Sequence, residues 1–228
     1  STIVKVAGFY AFARLFENAF GRMQSQWQTL ILVITVATLL IGNITAVFQQ
    51  SVKRMLAYSS IAQAGFMLLA LFALNEKARE GLLLYSAAYS LATIGLFSIL
   101  IKMEDYTIDG FNGLSKKQPL LAFSATIFLL SLTGIPLTAG FQSKFYMLMA
   151  AVQNGHHFWL VIVAVLFAAV SAYYYFRIIQ AMYFKEATQD VIQTSDITIG
   201  FKLVLIITVL LILALGIYPE LVLGWMYH

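Results

Sequence analysis

Ser131-Leu132-Thr133-Gly134-Ile135-Pro136-Leu137-Thr138-Ala139-Gly140-Phe141-Gln142-Ser143-Lys144 is the stretch on which the reading of the fold turns. It lies inside an apolar segment that runs from Pro119 to Gln153. At ~1.5 Å per residue that segment is too long for one straight span of a hydrocarbon core ~30 Å thick. Pro136 removes a backbone donor and clashes with the preceding turn, and Gly134 and Gly140 flank it. The pattern predicts two half-helices, about Leu120 to Thr133 and Phe141 to Val152, joined by an irregular bridge. Irregular backbone at membrane depth is tolerated only where it is buried in protein or lines a wet cavity. Broken helices of this kind mark ion and substrate sites in transporters. The competing reading is a proline kink that only shapes packing.

Lys144 weighs against the kink. It is the only Lys, Arg, Asp or Glu between Lys117 and Arg177. A charge near the bilayer centre costs at least ~2.5–3.5 kcal/mol, so it faces the bundle interior and marks a functional site by default. A lysine that can be either neutral or charged can relay protons. The alternative is a side chain that snorkels to an interface, but Lys144 sits well away from either polar end of its segment. Lys5 is a second such lysine on the first apolar run, where snorkelling weighs more heavily because the position lies near the start of the sequence.

Composition sets the solvent. Of 228 residues, 61% are hydrophobic and 11% charged, against ~25% charged in typical soluble domains. That apolar surface requires lipid, and a backbone in lipid must satisfy its own hydrogen bonds, so the chain is expected to be helical. The solid apolar runs do not show the alternation of a barrel. About seven transmembrane helices are expected: A from about Thr2 to Phe20, B from Trp27 to Gln50, C from Met55 to Leu74, D from Gly81 to Ile101, the broken E, F from Phe158 to Phe184, and G from Phe201 to Trp225. Ser51 to Leu56, Asn75 to Glu80, Lys102 to Pro119 and Lys185 to Gly200 read as polar loops. No linker divides the chain, so residues 1–228 read as a single transmembrane domain.

Net charge is +4 and cysteine is absent. The basic residues sit in short loops, as the positive-inside rule expects, which argues against nucleic acid as a partner. Without thiolates there is no disulfide and no cysteine-ligated iron–sulfur cluster on these residues. The B–C, D–E and F–G loops carry Lys53, Arg54, Lys102, Lys116, Lys117, Lys185 and Lys202; the other side carries Arg14, Arg22, Lys77 and Arg79. That bias places the first group in the cytoplasm and the C-terminus on the periplasmic side. The chain starts at Ser1 with no signal peptide, so a missing N-terminal part is expected.

Polar positions inside the spans complete the pattern. Thr35, Thr38, Gly42 and Thr45 share a face of B, suited to close packing or to water. Ser86, Tyr89, Ser90 and Thr93 share a face of D. Glu17 is expected to pair with Arg14 at the interface. Tyr173, Tyr174, Tyr175 and Arg177 read as an aromatic belt with a snorkelling arginine, with a role in lining a cavity as the alternative. His156 and His157 have no carboxylate nearby and make a poor metal site. No metal or cofactor site is expected in this chain.

Three runs of residues, in order, resemble a known family. Lys53-Arg54-Met55-Leu56-Ala57-Tyr58-Ser59-Ser60-Ile61, following Gly42-Asn43, resembles a helix junction of the antiporter-like membrane subunits of respiratory complex I. Leu130 to Tyr146 resembles their broken twelfth helix, and Tyr173 to Arg177 the thirteenth helix of the N-type (NuoN-like) members. Such proteins have about fourteen spans in two inverted five-helix repeats. The resemblance implies that this chain is the C-terminal half, with the second repeat at about 27–185 and a final helix at about 201–225. It implies that Lys144 is the terminal and Lys5 the central lysine of a proton relay. Pro136, Gly134, Gly140, Thr138, Ser143, Gln63, Tyr89, Ser86, Ser90 and Thr93 would line the proton path or hold water.

The implied activity is that of a proton-translocating subunit of NADH–quinone oxidoreductase in a bacterial inner membrane. NADH, FMN, iron–sulfur clusters and quinone would be bound by partner subunits, both peripheral and membrane-embedded, including neighbouring antiporter-like subunits. An Mrp-type cation/proton antiporter subunit is the alternative, and a purely structural scaffold is another. Lysine at 144 argues against the M-type, which has glutamate there, and an end shortly after Trp225 argues against the L-type with its lateral helix. Two positions depart from the family pattern: Ser143 stands where glycine often precedes the relay lysine, and Gln63 stands where histidine is common. Gln63 cannot titrate but can hold water. Since half of the repeat pair is absent, the chain reconstituted alone in vesicles is expected to show no acidification under any imposed gradient.

Overall fold

The computed structural model describes residues 2–155, 157–187 and 197–224. Every regular element in them is helical. In chain order they are α1 (Thr2–Asn18), a 3-10 turn at Gly21–Met23, α2 (Gln24–Val47), α3 (Val52–Ala73) and α4 (Glu76–Leu100). After a 3-10 turn at Asp109–Phe111 come α5 (Leu114–Lys117), α6 (Pro119–Thr133), α7 (Ala139–Gln153), α8 (Phe158–Phe184), α9 (Ile199–Ile217) and α10 (Glu220–Leu223). Five of them, α2, α3, α4, α8 and α9, are long and apolar enough to cross a membrane. The chain is an all-helical membrane protein.

The helix starts correct two readings. Lys53 and Arg54, which the sequence places in a loop, lie in the first turn of α3, both exposed. The charged run at 75–80 is not a loop either. Asn75 is extended and its side chain accepts a hydrogen bond from the Ala78 amide, so Glu76 to Glu80 form the first turns of α4. An Asn cap followed by an acidic residue supplies what free amides at a helix start need. At the other end of the chain, α9 stops at Ile217. Tyr218 is non-helical and Pro219 precedes the short α10, because a proline cannot continue a helix donor ladder. Trp225 lies outside the described residues.

The interior is built around α3, α4, α6 and α7. Close approach of these helices needs missing side chains. Gly42 of α2 lies directly on the Ala62 backbone of α3: an added Cβ would collide with the Ala62 nitrogen and sit 2.9 Å from its Cα. Gly65 of α3 likewise receives Leu39 of α2. The small-residue face of α2 therefore serves packing. Gly81 of α4 lies against Met147 and Tyr146 of α7, and Gly95 against the Phe128 ring of α6. Gly216 of α9 lies on the chain between α6 and α7, where a Cβ would overlap the Leu137 carbonyl oxygen.

The lateral surface is apolar. Leu30, Val33, Ile34, Leu40 and Ile41 of α2 and Leu203, Val204, Ile207 and Leu210 of α9 are exposed, as expected of residues facing lipid or a neighbouring helix. Gly42→Ala tests the helix contact. Alanine gains ~1 kcal/mol of helix propensity, but overpacking against backbone that cannot yield costs ~1–3 kcal/mol. The variant is expected to melt at a lower temperature in detergent than the unmodified protein.

Candidate functional site

The site begins where α6 ends. Gly134 adopts a left-handed conformation at φ 90°. Its amide bonds to the Ser131 carbonyl at 3.1 Å and the Ile135 amide to the Leu130 carbonyl at 3.1 Å. This is a Schellman closure, and it satisfies two of the four carbonyls that a helix end leaves without partners. The other two belong to Leu132 and Thr133. Lys144 Nζ, from the second turn of α7, donates to both, at 2.8 and 2.9 Å. The ammonium thus caps the negative end of α6, which favours a cation there. It also lies 4.4 Å from the centre of the Phe66 ring of α3. Lys144 is 5% exposed.

Two glycines let α6, α7 and the lysine meet. An added Cβ on Gly134 would come within 2.9 Å of Lys144 Cδ, and one on Gly140 would overlap the Ser131 carbonyl oxygen. The Gly140 amide donates to Ser131 Oγ at 3.2 Å. Between them Leu137 has φ 72°, a left-handed conformation that costs a branched residue on the order of 1–3 kcal/mol. The linker is held from outside by α9, since Gln142 Nε2 donates to the Gly216 carbonyl at 3.0 Å.

Gln63 of α3 extends the site. Its Nε2 also donates to the Leu132 carbonyl, at 2.8 Å, and to Tyr175 Oη of α8 at 3.2 Å. Its Oε1 accepts a hydrogen bond from Tyr85 Oη of α4. A small cavity of about 10 Å³ lies beside Lys144, lined by Gln63, Tyr85, Tyr89, Ser131, Gly140 and Ser143 among others. That is room for about one water. A second cavity of about 180 Å³ adjoins it, lined by Ser59, Ser60, Tyr89, Thr93 and Leu132 with apolar neighbours. Tyr89 and Leu132 belong to both. The Thr93 hydroxyl is buried without a hydrogen-bond partner.

Lys5 of α1 stands at the far side of Tyr89. Its Nζ donates to the Ser60 carbonyl and Oγ, both at 2.6 Å, and to Tyr89 Oη at 3.3 Å. It also lies 5.0 Å from the centre of the Tyr89 ring. Tyr89 thus stands between the two lysines: it lines both cavities and lies within hydrogen-bond distance of Lys5, and the cavity walls come from α3, α4, α6 and α7.

The other anticipated positions fall in different places. Ser143 is buried, with its hydroxyl on the Gly140 carbonyl at 3.0 Å. Ser86 gives its hydroxyl to the Leu82 carbonyl at 2.7 Å, and Ser90 is half-buried; neither lines the two cavities. Thr138 bonds to the Ile135 carbonyl at 2.7 Å. Pro136 is exposed on the outside of the linker; its effect is to stop α6, and it lines neither cavity. No α2 residue lines them either.

Three side-chain environments differ from expectation. Glu17 pairs with Arg79 of α4 at 2.9 Å rather than with Arg14. Tyr174 and Tyr175 are fully buried, and only Tyr173 is exposed in the manner of a belt residue. Tyr174 Oη donates to Asn43 Oδ1 of α2 at 3.1 Å. Arg177 reaches the end of α2, donating to the Val47 carbonyl at 2.9 Å and to Gln50 Oε1 at 3.1 Å. His157 meets the Phe72 ring edge-on; His156 lies outside the described residues. Tyr85, Asn43 and Ser60 join the site without a local pattern that assigns them to it. Tyr85 stands four residues before Tyr89 on the same face, which was the signal available.

These features define a helical membrane protein with one lysine buried at a helix end and a second lysine bound to the tyrosine beside it. The chain belongs to the transmembrane family of NADH:quinone oxidoreductases and Mrp antiporters, whose pattern matches residues 1–172. It is 43% identical to NADH-quinone oxidoreductase subunit N 1 of Solibacter usitatus (strain Ellin6076), over 97% of this chain and 46% of that protein. A chain in the structure of respiratory complex I from Thermus thermophilus with bound NADH superposes with TM-score 0.82 at 28% identity, over 94% of this chain and 46% of that one. A chain of the Mrp complex from Dietzia sp. DQ12-45-1b superposes with TM-score 0.82 at 20% identity, over 93% and 48% respectively; that likeness concerns the fold alone. The chain spans about half the length of the curated relatives it matches.

Gln63→Leu tests the polar cluster. It leaves the Tyr85 and Tyr175 hydroxyls short of a partner, at a cost of ~1–3 kcal/mol. Adding Tyr85→Phe removes one stranded group, so the double variant is expected to melt above the sum of the two single effects. Strict additivity in thermal unfolding would show that the two side chains do not act together.

Proposed function

We propose that this chain is the lysine-bearing half of a proton-translocating, N-type subunit of NADH–quinone oxidoreductase. Lys144 on the Leu132 and Thr133 carbonyls, joined to Lys5 through Tyr89 and the two cavities, is the observation that carries the reading. In this reading α6 and α7 are one transmembrane segment broken at Gly134 to Thr138. Together with α1 they bring the spans to seven, with the second inverted repeat at about 27–185 and the final helix following. The protein lies in the inner membrane of a bacterium with its C-terminus periplasmic.

The mechanism is a proton relay. Lys144 accepts a proton from the small cavity and holds it against two fixed carbonyl dipoles. A water in that cavity links Lys144 to the hydroxyls of Tyr85 and Tyr89. Tyr89 and the Ser60 hydroxyl carry the connection to Lys5. Ser143, Gly134 and Gly140 position Lys144, and Thr93 supplies a further hydroxyl to the larger cavity. NADH, FMN, iron–sulfur clusters and quinone belong to partner subunits, and the energy for moving charge onto or off the lysines comes from them.

The identity to a subunit N relative favours this reading over an Mrp-type cation/proton antiporter. Lys144→Ala in the full-length subunit, within the assembled complex in vesicles, is expected to lower the number of protons moved per NADH oxidised. Lys144→Arg, which keeps a cationic donor, is expected to do so less. An unchanged proton-to-electron ratio and activity in Lys144→Ala would remove the relay from consideration. Sodium-for-proton exchange without NADH oxidation would move the protein to the antiporters.

A further inference from the structure

The interface between α1 and α4 holds polar groups at three levels. At the membrane face where α1 ends, Glu17 pairs with Arg79 at 2.9 Å. Deeper, the Tyr10 hydroxyl comes within interaction range of Ser86, yet it is buried and makes no hydrogen bond of ordinary geometry. Deeper still, Lys5 reaches Tyr89. Going down α1 from Glu17 to Lys5 matches going along α4 from Arg79 to Tyr89, so the helices are antiparallel and the three levels lie on one seam.

The outer part of that seam is open. A cavity of about 360 Å³ lies between the helices, bounded by Tyr10, Arg14, Glu17, Asn18, Arg79 and Leu82 among others. Its rim carries Arg14, Glu17, Asn18 and Arg79, which supply the two to four polar partners that hold a water, while Ala13, Leu82 and Leu83 line the rest. A buried hydroxyl without a partner at its inner end is costly unless water satisfies it. The remaining step from Tyr10 and Ser86 to Lys5 and Tyr89 is about one helical turn.

We propose that the α1–α4 seam is a water-filled proton path between Lys5 and the membrane face carrying Arg79, with the Glu17–Arg79 pair across its mouth. The inference rests on the reading of Lys5 as a relay lysine. The step it adds is a proton passing between water and the Lys5 amine, with nothing oxidised or reduced. In the proposed orientation this face is periplasmic. Lys5 then has an outlet of its own, separate from the polar interior that leads to Lys144.

Cysteine labelling tests it, and the natural absence of cysteine in this chain helps. Any cysteine in the rest of the full-length subunit is first replaced by serine. Tyr10→Cys, Ser86→Cys and the outward-facing control Leu15→Cys are made separately in the assembled complex, in vesicles of either orientation. The probe is a membrane-impermeant trimethylammonium methanethiosulfonate, which reacts with the hydrated thiolate. Cysteines at 10 and 86 are expected to react from the Arg79 face only, roughly tenfold or more faster than the control, and faster again when Arg79→Gln opens the mouth. Ser86→Cys is close in size to the original and keeps the test available if Tyr10→Cys fails to assemble. Labelling no faster than the control, or only from the opposite face, would overturn the proposal. Labelling is read without pumping, so a dry seam leaves the Lys144 relay standing, and a Lys144→Ala variant that pumps normally leaves the seam standing.

Discussion

Two backbone carbonyls without amide partners govern this structure. When α6 stops at Thr133, inside the helix bundle, its last four carbonyls need donors. The Schellman closure at Gly134 serves Leu130 and Ser131. Lys144 serves Leu132 and Thr133, and Gln63 shares the first of these. The requirement fixes much else. Gly134 must be left-handed, Gly140 must lie on Ser131, α3 must present Gln63 and Phe66, and α7 must enter at the angle that brings Lys144 back over the end of α6. A charge that would be costly alone in hydrocarbon is here the donor that an otherwise unsatisfied helix end requires.

The same arrangement explains why the two lysines differ. Lys144 is enclosed by four helices and bound to backbone. Lys5 is half-buried on α1, a helix with no fully buried residue, and is bound to a serine and a tyrosine. Lys144 is held by two carbonyls at the end of α6, whereas Lys5 is held by Ser60 and Tyr89 across from α1. Tyr89 faces both.

The local part of this was legible in the residues. Proline between two glycines marks a helix end, and a lone lysine in an apolar run marks a charge turned inward, because each residue acts through its own backbone or charge; that the lysine caps the helix end emerges only from the folded geometry. What lay outside reach was long-range or depended on a face. Three successive tyrosines at 173–175 read as a belt, but neighbours on a helix point about 100° apart. Two of them meet Asn43 and Gln63, more than a hundred residues away in sequence, and no local pattern names those partners. Glu17 chose Arg79 over Arg14 for the same reason, since α4 packs against α1. Charged helix starts were read as loops at Lys53 and at Glu76 because hydropathy reports where lipid ends, while the helix runs on into water. The Asn75 cap was the sign available for the second of these.

Gly216 carries a mechanical consequence. Its missing side chain lets α9 rest on the Leu137 and Thr138 backbone, and its carbonyl receives Gln142. One turn earlier on the same face of α9 stand Ile212 and Leu213, so α9 cannot slide forward along its axis without driving a branched side chain into the linker. The contact works as a detent that admits one axial register. Leu205, Val209 and Ile212 of α9 are buried as well, so the helix is seated along its length and the glycine contact sets where it sits against the linker.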